Sequence, residues 1–365
     1  MVAAIASFLL EVPAGATAPP GPTTTLPPPA KAELLVDMGT GRVLFARNDH
    51  ADLPPGSLTK MLTAMIVVDW LPPQALVPVS AIAAAAYPEK VGMKVGQLWP
   101  LADSLQALLI FSANDAAYAL AQRVSGSLSE FSVTMQEAAA QIGMRDHPVW
   151  RDPAGLDGTE GFEGGNRVSA WDLATAARDF MANPELAGIV RMHSLDFTGP
   201  DHIVYGLSNQ NLYFLDTFPG AIGVKTGLTD AAGFCVAEEA QRGGRKMLAI
   251  VLDGASSYQT AADLLDKGFA TPVAAESAPD PLLPPVAEPE PTPPVPHERF
   301  VNTEFAAAPA AATDPPSLFE TFRRPLSSRT GLAAEGAVAV TVGVLVAGHT
   351  VRRHRRRPIG AHSHR

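Results

Sequence analysis

Apolar positions along the chain change their period in an ordered way. AELLVD at 32–37 and RVLFA at 42–46 read as two strands joined across MGTG by a Gly-containing hairpin turn. After Pro54-Pro55-Gly56 the period becomes helical: Leu58, Met61, Leu62, Met65 and Val68 recur from Ser57 until Leu71-Pro72-Pro73 stops the pattern. Nearly every face of that helix is apolar, which predicts burial at the centre of a domain. The middle, about 98–190, reads as largely helical, with LADSLQALLI, NDAAYALAQRVSG, SLSEFSVTMQEAAAQIG and SAWDLATAARDFMAN each ending on a stop signal. AIGVK at 221–225, GFCVAEEA at 233–240 and KMLAIVLDG at 246–254 then read as strands, followed by a last helix over about 258–269.

Strands first, helices in the middle, strands and a helix last predict an α+β fold, an antiparallel sheet flanked by helices with an inserted helical lobe, because short hairpin links force antiparallel pairing. Composition limits that fold to residues 31–271. The first 30 residues form a weak signal-like apolar run and a Pro-rich leader without a basic start. Residues 272–331 read as a Pro/Ala-rich disordered linker, with 13 prolines, seven acidic residues and one arginine between 272 and 316. Residues 332–351 are Ala, Val, Gly and Leu-rich, about the length of a membrane span, and RRHRRR follows. The expectation is a single-pass protein of the cell membrane, with a basic cytoplasmic tail at 352–365 and the folded unit outside. A linker of this composition reaches on the order of 100 Å.

The net charge of −10 argues against a nucleic-acid partner. The single cysteine, Cys235, excludes an internal disulfide and any multi-cysteine metal site, and is expected as a small core residue on a strand. The folded part has no paired histidines at zinc-ligand spacing, so no cofactor is expected.

Three short motifs carry the chemistry: Ser57-Leu58-Thr59-Lys60, Ser112-Ala113-Asn114 and Lys225-Thr226-Gly227. Each alone is weak, since on the order of one Ser-x-x-Lys match is expected by chance in a chain this long. Ser57 and Lys60 fall at i and i+3 in the first turn of the buried helix, where their side chains share a face. A lysine in such apolar surroundings loses proton affinity, so its neutral amine can take the proton of Ser57. Ser112 and Asn114 fall at a break between two helices, suited to proton relay and to binding a substrate amide. Lys225-Thr226-Gly227 closes a strand, where glycine permits close approach of a ligand backbone and Lys225 with Thr226 suit a carboxylate. Asp115 reads as a helix N-terminal acid.

The three motifs, in this order, resemble the signature of penicillin-binding proteins and serine β-lactamases. ELLVDMGTGRVLFARND, PPGSLTKMLTA, LLIFSANDAAYALA, DPAGLDG and GVKTGLTDAAGFCVA are similar to the D-alanyl-D-alanine carboxypeptidase branch over about 31–271. The resemblance implies a serine peptidase that removes the terminal D-Ala of peptidoglycan stem peptides through an acyl-enzyme on Ser57, with β-lactams as covalent inhibitors. It also implies the backbone N–H groups of Ser57 and Leu228 as the oxyanion hole. Two readings compete: a β-lactamase, for which Glu160 or Glu163 would have to supply a deacylating base, and a β-lactam or muropeptide binding protein without turnover.

Overall fold

The computed structural model describes residues 29–272 and 283–286. Five strands build one antiparallel sheet in the order β2-β1-β9-β8-β7. They are β1 (Ala32–Asp37), β2 (Val43–Arg47), β7 (Ala221–Thr229), β8 (Gly233–Arg242) and β9 (Arg245–Leu252). The first two strands and the last three thus meet through the β1–β9 pair, and everything between Arg47 and Ala221 is inserted. The fold is the expected α+β arrangement.

The insertion opens with a 3-10 turn, Gly56–Thr59, and continues as α1 (Lys60–Trp70). Next come β3 (Leu76–Pro78), α2 (Ala81–Ala84), β4 (Leu98–Pro100), α3 (Leu101–Leu109), α4 (Asn114–Ser125) and α5 (Leu128–Gln141). It closes with α6 (Ala170–Ala182), α7 (Pro184–Val190), a hairpin of β5 (Ser194–Thr198) with β6 (Val204–Ser208), and α8 (Leu212–Thr217). The last helix, α9 (Ser257–Ala270), follows the sheet.

Two apolar cores hold these layers together. The larger one joins the sheet face carrying Leu34, Ala237 and Ile250 to α1 and the helices around it, with Leu58, Met61, Leu62 and Val67 of the central turn and helix almost fully buried. The smaller one packs Phe214 of α8 and Leu265 of α9 against Leu35, Val236 and Met247. The all-round apolar character of α1 follows from this: it contacts α3, α4, α5 and α6 and has no broad solvent face. Cys235 is buried on β8 and its thiol is pushed up to about 12 by burial, which suits a core residue.

The structure departs from the sequence expectations in several places. The helix expected from Ser57 begins as a 3-10 turn, and regular α geometry starts only at Lys60. β7 continues to Thr229, so Lys225-Thr226-Gly227 lies inside the strand rather than at its close; pairing of Leu228 with Phe234 and Thr229 with Gly233 carries the ladder onward. The middle is less helical than its apolar spacing suggests, because residues 142–169 fold as an irregular segment whose backbone is held by side chains of Asp152, Asn166 and Asp172 instead of a helix ladder. Within the segment expected as linker, residues 283–286 pack against the domain: Leu283 is buried, its N–H donates to the Gly41 carbonyl, and Arg178 donates to the Pro284 carbonyl. Among the described residues no helix is long and apolar enough to cross a membrane; residues 332–351 lie outside the described residues.

Candidate active site

β7 is the outer strand of the sheet, and the 3-10 turn that carries Ser57 packs directly against it. Contact this close requires Gly227: a Cβ there would sit 2.9 Å from the Ser57 backbone nitrogen and 3.0 Å from the Pro55 carbonyl oxygen. The Leu228 amide lies on the same seam, beside Gly56. A cleft of about 260 Å³ opens here, lined by Ser57, Ser112, Asn114, Thr226, Gly227 and Leu228 among others.

The tight turn also sets the Ser57–Lys60 contact. Side chains at i and i+3 eclipse in a 3-10 helix, and Lys60 Nζ lies 2.8 Å from Ser57 Oγ. The amine donates to Asn114 Oδ1 at 2.8 Å and to the Ala154 carbonyl at 2.6 Å. Asn114 Nδ2 donates to the Tyr87 carbonyl, which fixes the amide with its oxygen toward Lys60. Lys60 is fully buried, and desolvation, then the nearby charge of Lys225, hold its pKa well below the usual lysine range. A neutral amine has two N–H bonds and one lone pair. With both N–H bonds committed to oxygens that can only accept, the lone pair is left for the Ser57 hydroxyl.

Ser112 sits at the break between α3 and α4 with φ of +65°, a left-handed conformation that is costly for a side chain with a Cβ. There it accepts a 3.0 Å hydrogen bond from Lys225 Nζ, which also donates to the Thr226 carbonyl at 2.8 Å. Burial lowers Lys225 to about 7. Thr226 lines the cleft, and Leu228, 70% exposed, projects from its rim. Of the eight residues singled out from the sequence, six line one cleft, and Lys60 and Lys225 lie buried behind it, bonded to Ser57 and Ser112. Asp115 accepts from the backbone N–H groups of Val91, Gly92 and Met93 and so holds a neighbouring loop rather than facing Ser57.

Residues that motif reading did not assign complete the site. Asp152 is fully buried; its Oδ1 accepts from the N–H groups of Ala154, Gly155 and Leu156, and its Oδ2 from Phe162 N–H and Tyr118 Oη. This clamp presents the Ala154 carbonyl to Lys60. Gly155 is obligatory in it, with φ of +82° and Gly56 O only 2.0 Å from where a Cβ would stand. Asn166 ties the same loop to Thr59 beside Ser57. Asp152 lies within DPAGLDG, yet a carboxylate that acts by ordering backbone has no signature beyond an Asp before Pro and Gly. Glu89 also lines the cleft, held by Gln210 at 2.5 Å. Glu160 and Glu163 are exposed residues outside the cleft lining.

A serine hydroxyl facing a buried lysine of lowered proton affinity, two backbone amides at a strand–turn seam and a second lysine beyond them are the parts of an acyl-transfer site with a serine nucleophile. The chain matches the D-alanyl-D-alanine carboxypeptidase family over residues 22–256 and belongs to that family. It is 34% identical over 249 residues to D-alanyl-D-alanine carboxypeptidase DacB2 of Mycobacterium tuberculosis, covering 66% of this chain and 83% of that protein. It is 28% identical over 240 residues to D-alanyl-D-alanine carboxypeptidase DacF of Bacillus subtilis, covering 64% of this chain and 60% of that longer protein. The structure is similar to penicillin-binding protein D2 of Listeria monocytogenes in its ampicillin-bound form, with a TM-score of 0.58 and 26% identity over 66% of this chain and 97% of the other.

Proposed function

We propose that the protein is a serine-type D-Ala-D-Ala carboxypeptidase acting on peptidoglycan stem peptides, and that β-lactams acylate the same serine. The observation that carries this reading is the buried Lys60 amine, bonded to Asn114 Oδ1 and the Ala154 carbonyl and 2.8 Å from Ser57 Oγ, so that its lone pair faces the serine when it is neutral. Family membership supplies the substrate class.

The stem peptide's terminal carboxylate is held by Lys225 and Thr226 and its penultimate carbonyl oxygen by the Ser57 and Leu228 amides. Lys60 takes the Ser57 proton as Oγ bonds to the carbonyl carbon, giving a tetrahedral oxyanion. The C–N bond breaks, the departing D-Ala nitrogen receives by way of Ser112 the proton that Lys60 took, which leaves Lys60 neutral again, and the acyl group stays on Ser57. Water, deprotonated by Lys60, then cleaves the ester and restores the serine. The sequence pattern of an apolar 332–351 segment before a basic run supports a catalytic domain outside the cell membrane, tethered through its C-terminal part.

The test is incubation of the purified protein and of Ser57→Ala with a D-Ala-D-Ala-ending peptide and a labelled penicillin. Wild type is expected to release D-Ala and become labelled, and Ser57→Ala to do neither. Labelling without D-Ala release would replace this reading with a binding protein, and rapid hydrolysis of the penicillin with a β-lactamase.

A further inference from the structure

The catalytic cleft does not end at Leu228. Phe234 and Tyr258 line it and also line a second groove of about 480 Å³ between α8 and the start of α9. The two openings therefore adjoin at these two rings. Along the join runs a row of aromatic rings, with Phe234 and Tyr258 centroids 5.0 Å apart and Tyr258 and Tyr213 centroids 5.4 Å apart. Tyr213, at the far end, is 64% exposed, an uncommon surplus for a ring that makes no use of water on its faces. The groove lining contains no Asp, Glu, Lys or Arg, and its polar members are hydroxyl and carboxamide groups. Ser256 precedes α9 without capping it, so its hydroxyl is not committed to the helix backbone, and Gln259 keeps its carbonyl oxygen at the rim while its amide donates to Asp263.

We propose that this groove is a carbohydrate subsite, which takes a neutral N-acetylated hexopyranose of the glycan strand to which the stem peptide is attached. Flat aromatic faces receive the C–H face of a pyranose, and the hydroxyl and carboxamide rim receives its hydroxyl and acetamido groups. An extended peptide is a poorer occupant. A peptide is held by the ladder of an open strand edge, which the outer strand β7 offers and the groove, walled by α8, Phe234 of the inner strand β8 and the first turn of α9, does not. A cationic ligand is poorer still, since no carboxylate in the lining would offset its desolvation. The subsite rests on the proposed carboxypeptidase reading and extends it: the cleft takes the peptide end, and the groove takes sugar from the same polymer.

The experiment compares kcat/KM for D-Ala release from a stem pentapeptide and from the same pentapeptide carrying its disaccharide, using the full chain as wild type, Tyr213→Ala and Tyr213→Phe. Wild type is expected to favour the glycosylated substrate by about tenfold, ~1.4 kcal/mol. Tyr213→Ala loses that preference and holds its rate on the bare peptide within about twofold, and Tyr213→Phe, which keeps the ring, keeps the preference. Equal wild-type rates on both substrates, or a preference that survives Tyr213→Ala, overturns the subsite. Release from neither substrate would instead sink the carboxypeptidase reading. The groove is then decided by titrating N,N′-diacetylchitobiose into the isotope-labelled protein: resonance shifts at Tyr213 and Tyr258 that vanish in Tyr213→Ala support it, and no shift in wild type ends it.

Discussion

Replacing Asp152 by Asn tests whether the loop clamp sets the geometry of the lysine base. The carboxylate accepts five hydrogen bonds, three on Oδ1 and two on Oδ2. A carboxamide oxygen can keep the three on Oδ1, but the –NH₂ that replaces Oδ2 then faces Phe162 N–H and Tyr118 Oη. The Tyr118 hydroxyl can turn to accept; the Phe162 N–H cannot, and loses its bond at 2.7 Å. A hydrogen bond to a charged acceptor contributes about 1.5–3 kcal/mol, so loss of this one costs about 1.5–3 kcal/mol, a sizeable share of the ~5–15 kcal/mol of a typical domain. For a domain of this size that is a fall in Tm of about 3–12 °C in calorimetry. Function should fall with it. As the loop relaxes, the Ala154 carbonyl leaves Lys60, the amine turns away from Ser57 Oγ, and penicillin acylation slows by at least about tenfold when measured well below the variant's Tm. Removal of the Asp152 charge, which favours the protonated amine, and loss of an acceptor both shift the acid limb of acylation to lower pH, an effect that loosened packing alone would not produce. A Tm within about 2 °C of wild type, with unchanged acylation and pH profile, would refute the clamp.

The pH dependence of kcat/KM should be bell-shaped. On the acid side Lys60 gains a proton and loses its lone pair. On the basic side Lys225, lowered to about 7 by burial, loses the charge that holds the substrate carboxylate, so kcat/KM falls as pH rises through about 7. The basic limb of kcat should lie higher, because a bound carboxylate raises Lys225, and Lys225→Met should remove the basic limb of kcat/KM. Glu239 is buried on β8 with no hydrogen bond to either oxygen, 3.7 Å from Lys246 Nζ, and desolvation raises it to about 7. A raised carboxyl contributes stability that is fully present below its unfolded value and is lost as pH rises through about 7. Glu239→Gln, which copies the neutral form, should therefore be more stable than wild type at pH 8 by on the order of 2–3 kcal/mol and nearly equal to it near pH 4.5, as read from urea unfolding.

The identity of the chemistry was legible in the chain because its parts are short-range. Ser57 and Lys60 are one turn apart, and a lysine amid Leu58, Met61 and Leu62 has little structural reason to be there. The five strands of the main sheet and the helices α1, α3, α4, α5, α6 and α9, and with them the α+β fold, followed from apolar period and turn residues, whereas the short strands β3 to β6 and the helices α2, α7 and α8 did not. Tertiary structure decided how those parts meet. The approach of Gly227 to the Ser57 turn depends on the β1–β9 pairing that closes the sheet around a long insertion, a contact between distant segments that no local period encodes. Residues 142–169 depart from the helical reading of the middle because their order comes from carboxylate and carboxamide side chains that bond backbone N–H groups, so the Asp152 clamp and the Ala154 carbonyl on Lys60 became visible only in three dimensions. The same holds for the direction of the Lys60 lone pair. Sequence determines that a lysine neighbours the serine, but two oxygens from elsewhere in the fold, on Asn114 and Ala154, decide which way its nitrogen can accept a proton.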